Sequence, residues 1–392
     1  MARKKTGMNY IVLIGVLIIF LAAVFALGIR PRVSGTVSEI MLPDGFAIEV
    51  FAEGLGGSPA AYPGPNAGPR MMKFIDGDLF VSIPSQGRIV MLPDRNRDFK
   101  ADEAVTVIDN LGNPHGIDYH DDWLYVAEEQ RVIRFKLNGS HQADLSTLNI
   151  LIGSIPNERL PHGGHFTRTI KVYNNSIYLS IGSSCNACYE EDERRGAISK
   201  CDLDGENCEI FASGLRNAVG FVFHPATGKI YATENGRDLL GDDLPPDEVN
   251  LVEEGKNYGW PVCYGKRIHD TDFDKNVYIR DPCQDTEPSL VDLQAHSAPL
   301  GLAFYRGDNF PNEYAGDLFV AYHGSWNRGE PTGYKIVRIK VDGKKLENFA
   351  TGWLKEDKTV IGRPVDIVID YDGSMFVSDD NAGEIYRIKY VR

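Results

Sequence analysis

The chain has 392 residues, 43% hydrophobic and 24% charged, an ordinary globular composition. Its formal net charge of −14 argues against nucleic acid as a partner, because nonspecific binding needs a basic face that displaces counterions. Length alone permits two or three domains, yet large all-β folds run this long as one unit.

The first predicted element is apolar. Residues 10–29, YIVLIGVLIIFLAAVFALGI, carry no charge over about the length a helix needs to cross the hydrocarbon core. Arg3, Lys4 and Lys5 precede the run and Arg30 and Arg32 follow it, an excess that favours a cytoplasmic N-terminus and an exported body. Residues 1–33 are therefore expected to be a cytoplasmic tail and transmembrane anchor, with a cleaved signal peptide ending near Val24-Phe25-Ala26 as the alternative. On either reading residues 34–392 are an extracytoplasmic domain, periplasmic or extracellular.

After residue 35 helical periodicity is almost absent, and one phrase recurs: a polar turn, β-formers and a small residue. The copies are DGDLFVS (76–82), DDWLYVA (121–127), NNSIYLS (174–180), TGKIYAT (227–233), AGDLFVA (315–321) and DGSMFVS (372–378). Their aromatic positions, Phe80, Tyr125, Tyr178, Tyr231, Phe319 and Phe376, are 45, 53, 53, 88 and 57 residues apart, so the long interval reads as an insertion. Repeats of this period built from short strands predict an all-β, six-bladed β-propeller, because a lone four-stranded sheet cannot bury both its faces. A two-sheet sandwich would give no reason for the repeated phrase.

The cysteines fall at Cys185, Cys188, Cys201, Cys208, Cys263 and Cys283, and an even count in an exported chain favours disulfides. CDLDGENC (201–208) reads as a hairpin turning at Asp204-Gly205, which sets its two cysteines opposite each other. Cys185 and Cys188 form a CxxC, for which zinc is the weaker alternative.

The stretch before each phrase should be the innermost strand of its blade, starting at one end of the channel. Those starts carry Arg70, His115, His165, Arg216-Asn217, His296 and Arg363. Any one of them, alone, would ordinarily cap a turn or pair with a surface carboxylate. Six at equivalent positions direct three arginines and three histidines at one axial pocket. Cations converging without neutralising carboxylates would repel one another, so the pocket is expected to bind an anion, and arginine's planar fork suits carboxylates.

GLRNAVGFVFHPATGKIYATENG (214–236) followed by DEVNLVEEGKNYGWP (247–261) resembles the soluble glucose, aldose and L-sorbosone dehydrogenases that use pyrroloquinoline quinone, PQQ. The likeness spans about residues 40–392, and GSSCNAC with NGRDLLGDDLPPDE points to the sorbosone-dehydrogenase-like branch. It implies a six-bladed propeller with PQQ at the channel end. It also implies that Arg216, helped by Asn217, bonds the quinone oxygen that becomes negative on reduction. Arg363 would pair with a PQQ carboxylate, and Arg70, His115, Asn235, Gly236 and His296 would complete the cofactor site. His165 matches the family's catalytic base, since His-Phe-x-x-x-Ile parallels its His-Phe-x-x-x-Leu; His162 has no such match. The implied reaction is oxidation of an aldose or related sugar aldehyde at C1, with hydride passing to PQQ and His165 taking the hydroxyl proton. Neighbouring arginines should lower the pKa of that histidine.

Calcium is the second implied partner. Asp238, Asp242, Asp243, Asp247 and Glu248 crowd a loop broken by Pro245-Pro246, and hard oxygen ligands in a loop suit Ca²⁺. The resemblance assigns the Gly236 and Arg237 carbonyls to a PQQ-bound calcium, and Glu248 with the Tyr258 carbonyl to a structural one. Three departures from the family stand out: Arg237 replaces a usual proline, Arg363 stands alone where Arg-x-Arg is usual, and a fifth-blade lysine has no clear counterpart. His323 and Arg328 are the candidates to replace that lysine. The expected acceptor of electrons is a cytochrome or membrane quinone. The competing functions are a calcium-dependent lactonase, which wants a carboxylate-lined pocket, and a non-catalytic propeller that binds protein or glycan.

Overall fold

In the computed structural model, which describes residues 37–56, 68–158, 164–342 and 344–391, the polar turn of the repeated phrase is a β-hairpin turn. Asp76-Gly77, Asp121-Asp122 and Asn174-Asn175 each place two consecutive residues at positive φ. That is the demand of a two-residue type I′ turn, and Gly, Asn and Asp meet it at least steric cost. Each turn joins an inner strand to the strand carrying the aromatic of the phrase: Met72–Ile75 to Asp78–Ile83, Ile117–His120 to Trp123–Ala127, and Arg168–Tyr173 to Ser176–Ile181. The other three blades repeat the pairing with Phe221–Phe223 and Ile230–Glu234, Pro299–Phe304 and Leu318–Tyr322, and Pro364–Ile369 and Met375–Asp379.

Six antiparallel sheets result, and their inner strands pack side by side in a closed ring. The fold is an all-β, six-bladed propeller. Closure comes from the two ends of this unit: Phe46–Ala52 is the outer strand of the last blade and pairs with Glu384–Tyr390. Apolar clusters lie between successive blades. One, joining the last blade to the first, gathers Phe51, Met72, Leu79, Phe376 and Ile385, with the Phe51 and Phe376 rings edge to face at 5.0 Å. The long interval between phrases four and five is an insertion before the fourth strand of its blade, Val291–Leu293. It adds Lys256–Asn257 to the edge of the preceding blade and forms the small hairpin Cys263–Tyr264 with Ile268–His269.

All six cysteines pair, as Cys185–Cys188, Cys201–Cys208 and Cys263–Cys283. The CxxC is thus a closed disulfide ring, which removes its thiolates from zinc binding. The expected anchor at residues 10–29 lies outside the described residues, among which no helix is long and apolar enough to cross a membrane.

Because Phe51 links the first and last blades, Phe51→Ala should destabilise the whole ring, by about 3–5 kcal/mol for a truncated buried phenylalanine. Urea unfolding followed by fluorescence tests this; a midpoint unchanged from the parent protein would mean that the seam does not hold the propeller shut.

Candidate active site

An antiparallel hairpin puts the start of its first strand beside the end of its second, so one end of the channel collects both. A cavity of about 210 Å³ opens there, lined by Arg70, His165, Arg216, Asn217, His296 and His323 together with Asn235, Gly236, Asp238 and Asp247. Trp326 forms its lip and is 73% exposed. A larger cavity, about 770 Å³, occupies the opposite mouth and holds none of the predicted site residues.

His165 is fixed by the strand behind it. Its main-chain N–H donates to the Ser183 carbonyl at 2.9 Å, and its Nδ1 lies 3.1 Å from both that carbonyl and the Ser183 hydroxyl. A carbonyl only accepts, so Nδ1 carries the proton and Nε2 is left as a bare acceptor. Burial, and next the charge of Arg216, hold the imidazole well below its usual pKa, so it is neutral at pH 7. Gly182 is required here, because a Cβ on it would meet Asn217 Oδ1 at 2.5 Å and His165 Cβ at 2.7 Å.

Arg216 is buried and its donors are fully used. Nε donates to the Asn186 carbonyl at 2.8 Å, and Nη2 to Asn186 Oδ1 at 3.0 Å and Asp238 Oδ2 at 3.1 Å. Nη1 donates to the Asn235 and Gly236 carbonyls at 3.1 and 2.9 Å. A guanidinium has five N–H groups, so this one acts on the cavity as a fixed charge, and a direct bond to a ligand would take the place of one of these five.

The remaining predicted residues divide between the wall and the layer behind it. Arg70 bonds Asp380 at 2.7 Å and approaches His115 Nε2 at 3.4 Å. His115 is buried behind Arg70 rather than on the cavity wall, with Nδ1 3.2 Å from the Arg168 carbonyl. Arg363 also stands behind the wall, 3.4 Å from His323 Nδ1, with its guanidinium over the Tyr334 ring at 5.0 Å. His296 Nε2 faces two carbonyls, Gly241 at 2.8 Å and Leu244 at 3.1 Å. Arg328 reaches the Asp243 carboxylate at 2.9 Å. His162 lies outside the described residues.

The expectation of cations without neutralising carboxylates is overturned. Asp380 serves Arg70 and, at 2.8 Å, His323; Asp238 serves Arg216; Asp270 serves Arg237 at 3.0 Å. Burial raises the Asp380 carboxyl, but His323 and Arg70 outweigh it and hold the group below the usual carboxylate range. Among the described residues Arg363 has no carboxylate partner. Asp238, expected as a calcium-loop carboxylate, instead pairs with Arg216, and Asp380 was missed as a member of the site, although a signal existed. Acidic residues follow the repeated phrase at Glu128-Glu129, Glu234 and Asp379-Asp380, where a second strand returns to the channel mouth.

The four metal-ligand candidates come together. Gly236, Arg237, Glu248 and Tyr258 line one internal cavity of about 20 Å³ with Glu234, whose Oε2 has no hydrogen-bond partner. Such a space holds about one water or ion. Burial, and then the charge of Glu248, raise the Glu234 pKa well above its usual value, and burial lifts Glu248 to about 6. Two carboxylates pressed together with an idle oxygen are the chemistry of a hard-cation site.

A TrAA12-like family model matches residues 66–391. The chain belongs to this family. A protein of Borreliella burgdorferi with no assigned function is 35% identical over 369 residues, 90% of this chain and 91% of the relative. The pyrroloquinoline quinone-dependent pyranose dehydrogenase of Coprinopsis cinerea is 27% identical over 294 residues, covering 57% of this chain and 39% of that enzyme. Among solved structures, the calcium structure of the Trichoderma reesei family AA12 protein superposes with a TM-score of 0.74 over 91% of this chain and 98% of that one, at 21% identity. The family resemblance carried by GLRN, DExN and NYGWP therefore holds.

Asp379, beside Asp380, gives the site a pH signature. Burial raises it from its ordinary 3.8 to about 7, despite hydrogen bonds from the Ala382 and Arg363 N–H groups. Its folded value exceeds its unfolded one, so folding takes up a proton; the stabilisation is full below the unfolded value and is lost as pH rises through about 7. Between about pH 6 and pH 8 the protein should lose about 1 kcal/mol through this group, and Asp379→Asn should remove that part of the slope. Denaturant titrations at both pH values measure it; equal slopes in parent and variant would assign the effect elsewhere.

Proposed function

We propose that the chain is a PQQ-dependent dehydrogenase that oxidises an aldose or related sugar aldehyde at C1, outside the cytoplasm. The observation that carries this is His165: a half-buried neutral imidazole whose Nδ1 is tied to Ser183, leaving Nε2 as a base on the cavity wall 18 residues upstream of its anchor. The named relatives and the three disulfides support the cofactor class and the oxidising compartment.

The donor set fits a planar, oxygen-rich anion. Arg216 and Asn217 on the wall would hold it, with Arg70 presenting charge already shared with Asp380, His323 beside them, and Arg363 acting from behind the wall. When bound, PQQ supplies the hydride acceptor. His165 Nε2 takes the proton from the substrate's C1 hydroxyl, and the Ser183 carbonyl holds the ring in the tautomer that makes this possible. Arg216 favours negative charge developing nearby while its five bonds keep it from moving. Asn235 and Asn327 line the cavity and each keeps an Oδ1 without a partner, an acceptor that a small amide rotation would offer to a sugar hydroxyl, and exposed Trp326 offers a face for the sugar's C–H groups. Because the residues expected to hold two calcium ions line one small cavity, a single calcium would sit among Glu234, Glu248 and the carbonyls of Gly236, Arg237 and Tyr258, bracing the loop that lies between the two cavities. Electrons would leave to a cytochrome or membrane quinone, and the segment at residues 10–29 would hold the enzyme at the membrane.

The lactonase reading draws some support from Asp238 and Asp247 on the cavity wall. Asp238 is committed to Arg216 and Asn327, and Asp247 to the Gly236 and Ala298 N–H groups, which leaves no open carboxylate set for an axial metal.

The test is dye reduction by the full chain loaded with PQQ and Ca²⁺, across a panel of aldoses and sugar aldehydes. Turnover should require PQQ and fall by about 10²–10⁴ in His165→Ala. Because His165 is neutral, its acid limb in kcat/KM should lie below the usual histidine value of about 6.5. Hydrolysis of lactones with calcium alone, and no PQQ-dependent oxidation, would replace this reading with the hydrolase.

A further inference from the structure

The segment 183–188 touches both groups that the proposed reaction uses. Ser183 holds His165 Nδ1, and the Ser183 hydroxyl in turn donates to the Cys185 carbonyl at 2.6 Å. Next in the chain, Asn186 accepts twice from Arg216, through its carbonyl at 2.8 Å and its Oδ1 at 3.0 Å. The same Oδ1 accepts the Asp238 main-chain N–H at 2.7 Å, and Asn186 Nδ2 donates to the Asp238 carbonyl at 3.0 Å. With two donors on one side of the amide and a carbonyl on the other, its orientation is determined. Trp260 adds an indole N–H to the Asn186 carbonyl at 3.3 Å.

We infer that Asn186 is the positioning residue for the Arg216–Asp238 pair, and that the Cys185–Cys188 disulfide exists to present it. Asn186 meets two of the five Arg216 donors and grips the main chain of Asp238 on both its N–H and its carbonyl, so one side chain holds both members of the ion pair. Its backbone carbonyl can serve as a fixed acceptor only if the loop does not flex. Closing that loop through the flanking cysteines restricts it without adding bulk to the cavity. The neutral amide matters too. A carboxylate at this point would keep the acceptor for the guanidinium but lose the donor to the Asp238 carbonyl, which the amide supplies.

The role of Arg216 as a fixed charge rests on the dehydrogenase reading; its immobilisation by Asn186 does not, and the experiment separates the two. In the cofactor-free full chain with ¹⁵N-labelled arginine, the Arg216 Nη2–H signal, assigned by its loss in Arg216→Lys, should exchange slowly, because Nη2 is the donor that meets the Asn186 side chain. Asn186→Ala should speed that exchange about 10-fold, as expected for one lost hydrogen bond to a charged group, while Asn186→Asp, which keeps the acceptor, should restore most of the protection. If Asn186→Ala fails to fold, Asn186→Ser, too short to reach Nη2, replaces it. Exchange in Asn186→Ala or Asn186→Ser within about two-fold of the parent overturns the inference, since a lost bond to a charged group is worth more. In the PQQ-loaded chain, Asn186→Ala should lower kcat by about 100-fold with KM little changed, the signature of a misplaced rather than a missing group. A parent protein that binds no PQQ or turns over no sugar would refute the dehydrogenase reading and leave the exchange result to judge Asn186 by itself.

Discussion

A guanidinium buried at the mouth of a channel must have an acceptor for every N–H, or the cost of removing it from water is unrecovered. Arg216 meets that demand with five bonds to Asn186, Asp238, Asn235 and Gly236, and the loops at this end of the propeller are arranged to supply them. Arg70 meets it in part through Asp380 and His115, and Arg237 through Asp270 of the insertion. The consequence is a wall whose positive charges are local and balanced rather than a diffuse cationic funnel.

The propeller makes this balance possible by geometry. Each blade contributes the start of one strand and the end of the next to the same rim, so a basic residue entering an inner strand meets an acidic residue leaving a second strand, within one blade for Arg216 and Asp238 and across the closing boundary for Arg70 and Asp380. Arg70 opens the first blade and Asp380 follows the second strand of the last, and they touch because Phe46–Ala52 joins the last sheet to the beginning of the chain. The closure therefore does more than stabilise the ring. It brings into contact residues that supply charge and counter-charge to the site.

Much of this was legible in the sequence. Turn chemistry and alternation are local properties, so six phrases located six hairpins, and the residues before them located the inner-strand starts. The partners of those residues were not legible by the same means. Arg70 and Asp380 lie 310 positions apart, and Asn186 sits inside a CxxC whose only visible signal was its cysteines. His115 and Arg363 occupy equivalent chain positions to His165 and Arg216 yet stand behind the wall. Equivalent starting positions fix where a side chain leaves the backbone, and the neighbouring loops decide whether it reaches the channel.

A balanced wall suits the proposed chemistry better than a strongly cationic one would. An excess of positive charge would bind an anion tightly, but it would depress the His165 pKa further still and weaken it as a base. With Asp238 beside Arg216, the field at His165 is moderated, while the guanidinium still presents a fixed positive end to the cavity. Negative charge that develops during oxidation then meets a pre-oriented cation that need not reorganise, which is where electrostatic catalysis gains most. On this view the carboxylates at the rim set how strongly the arginines act, and Asn186 sets where.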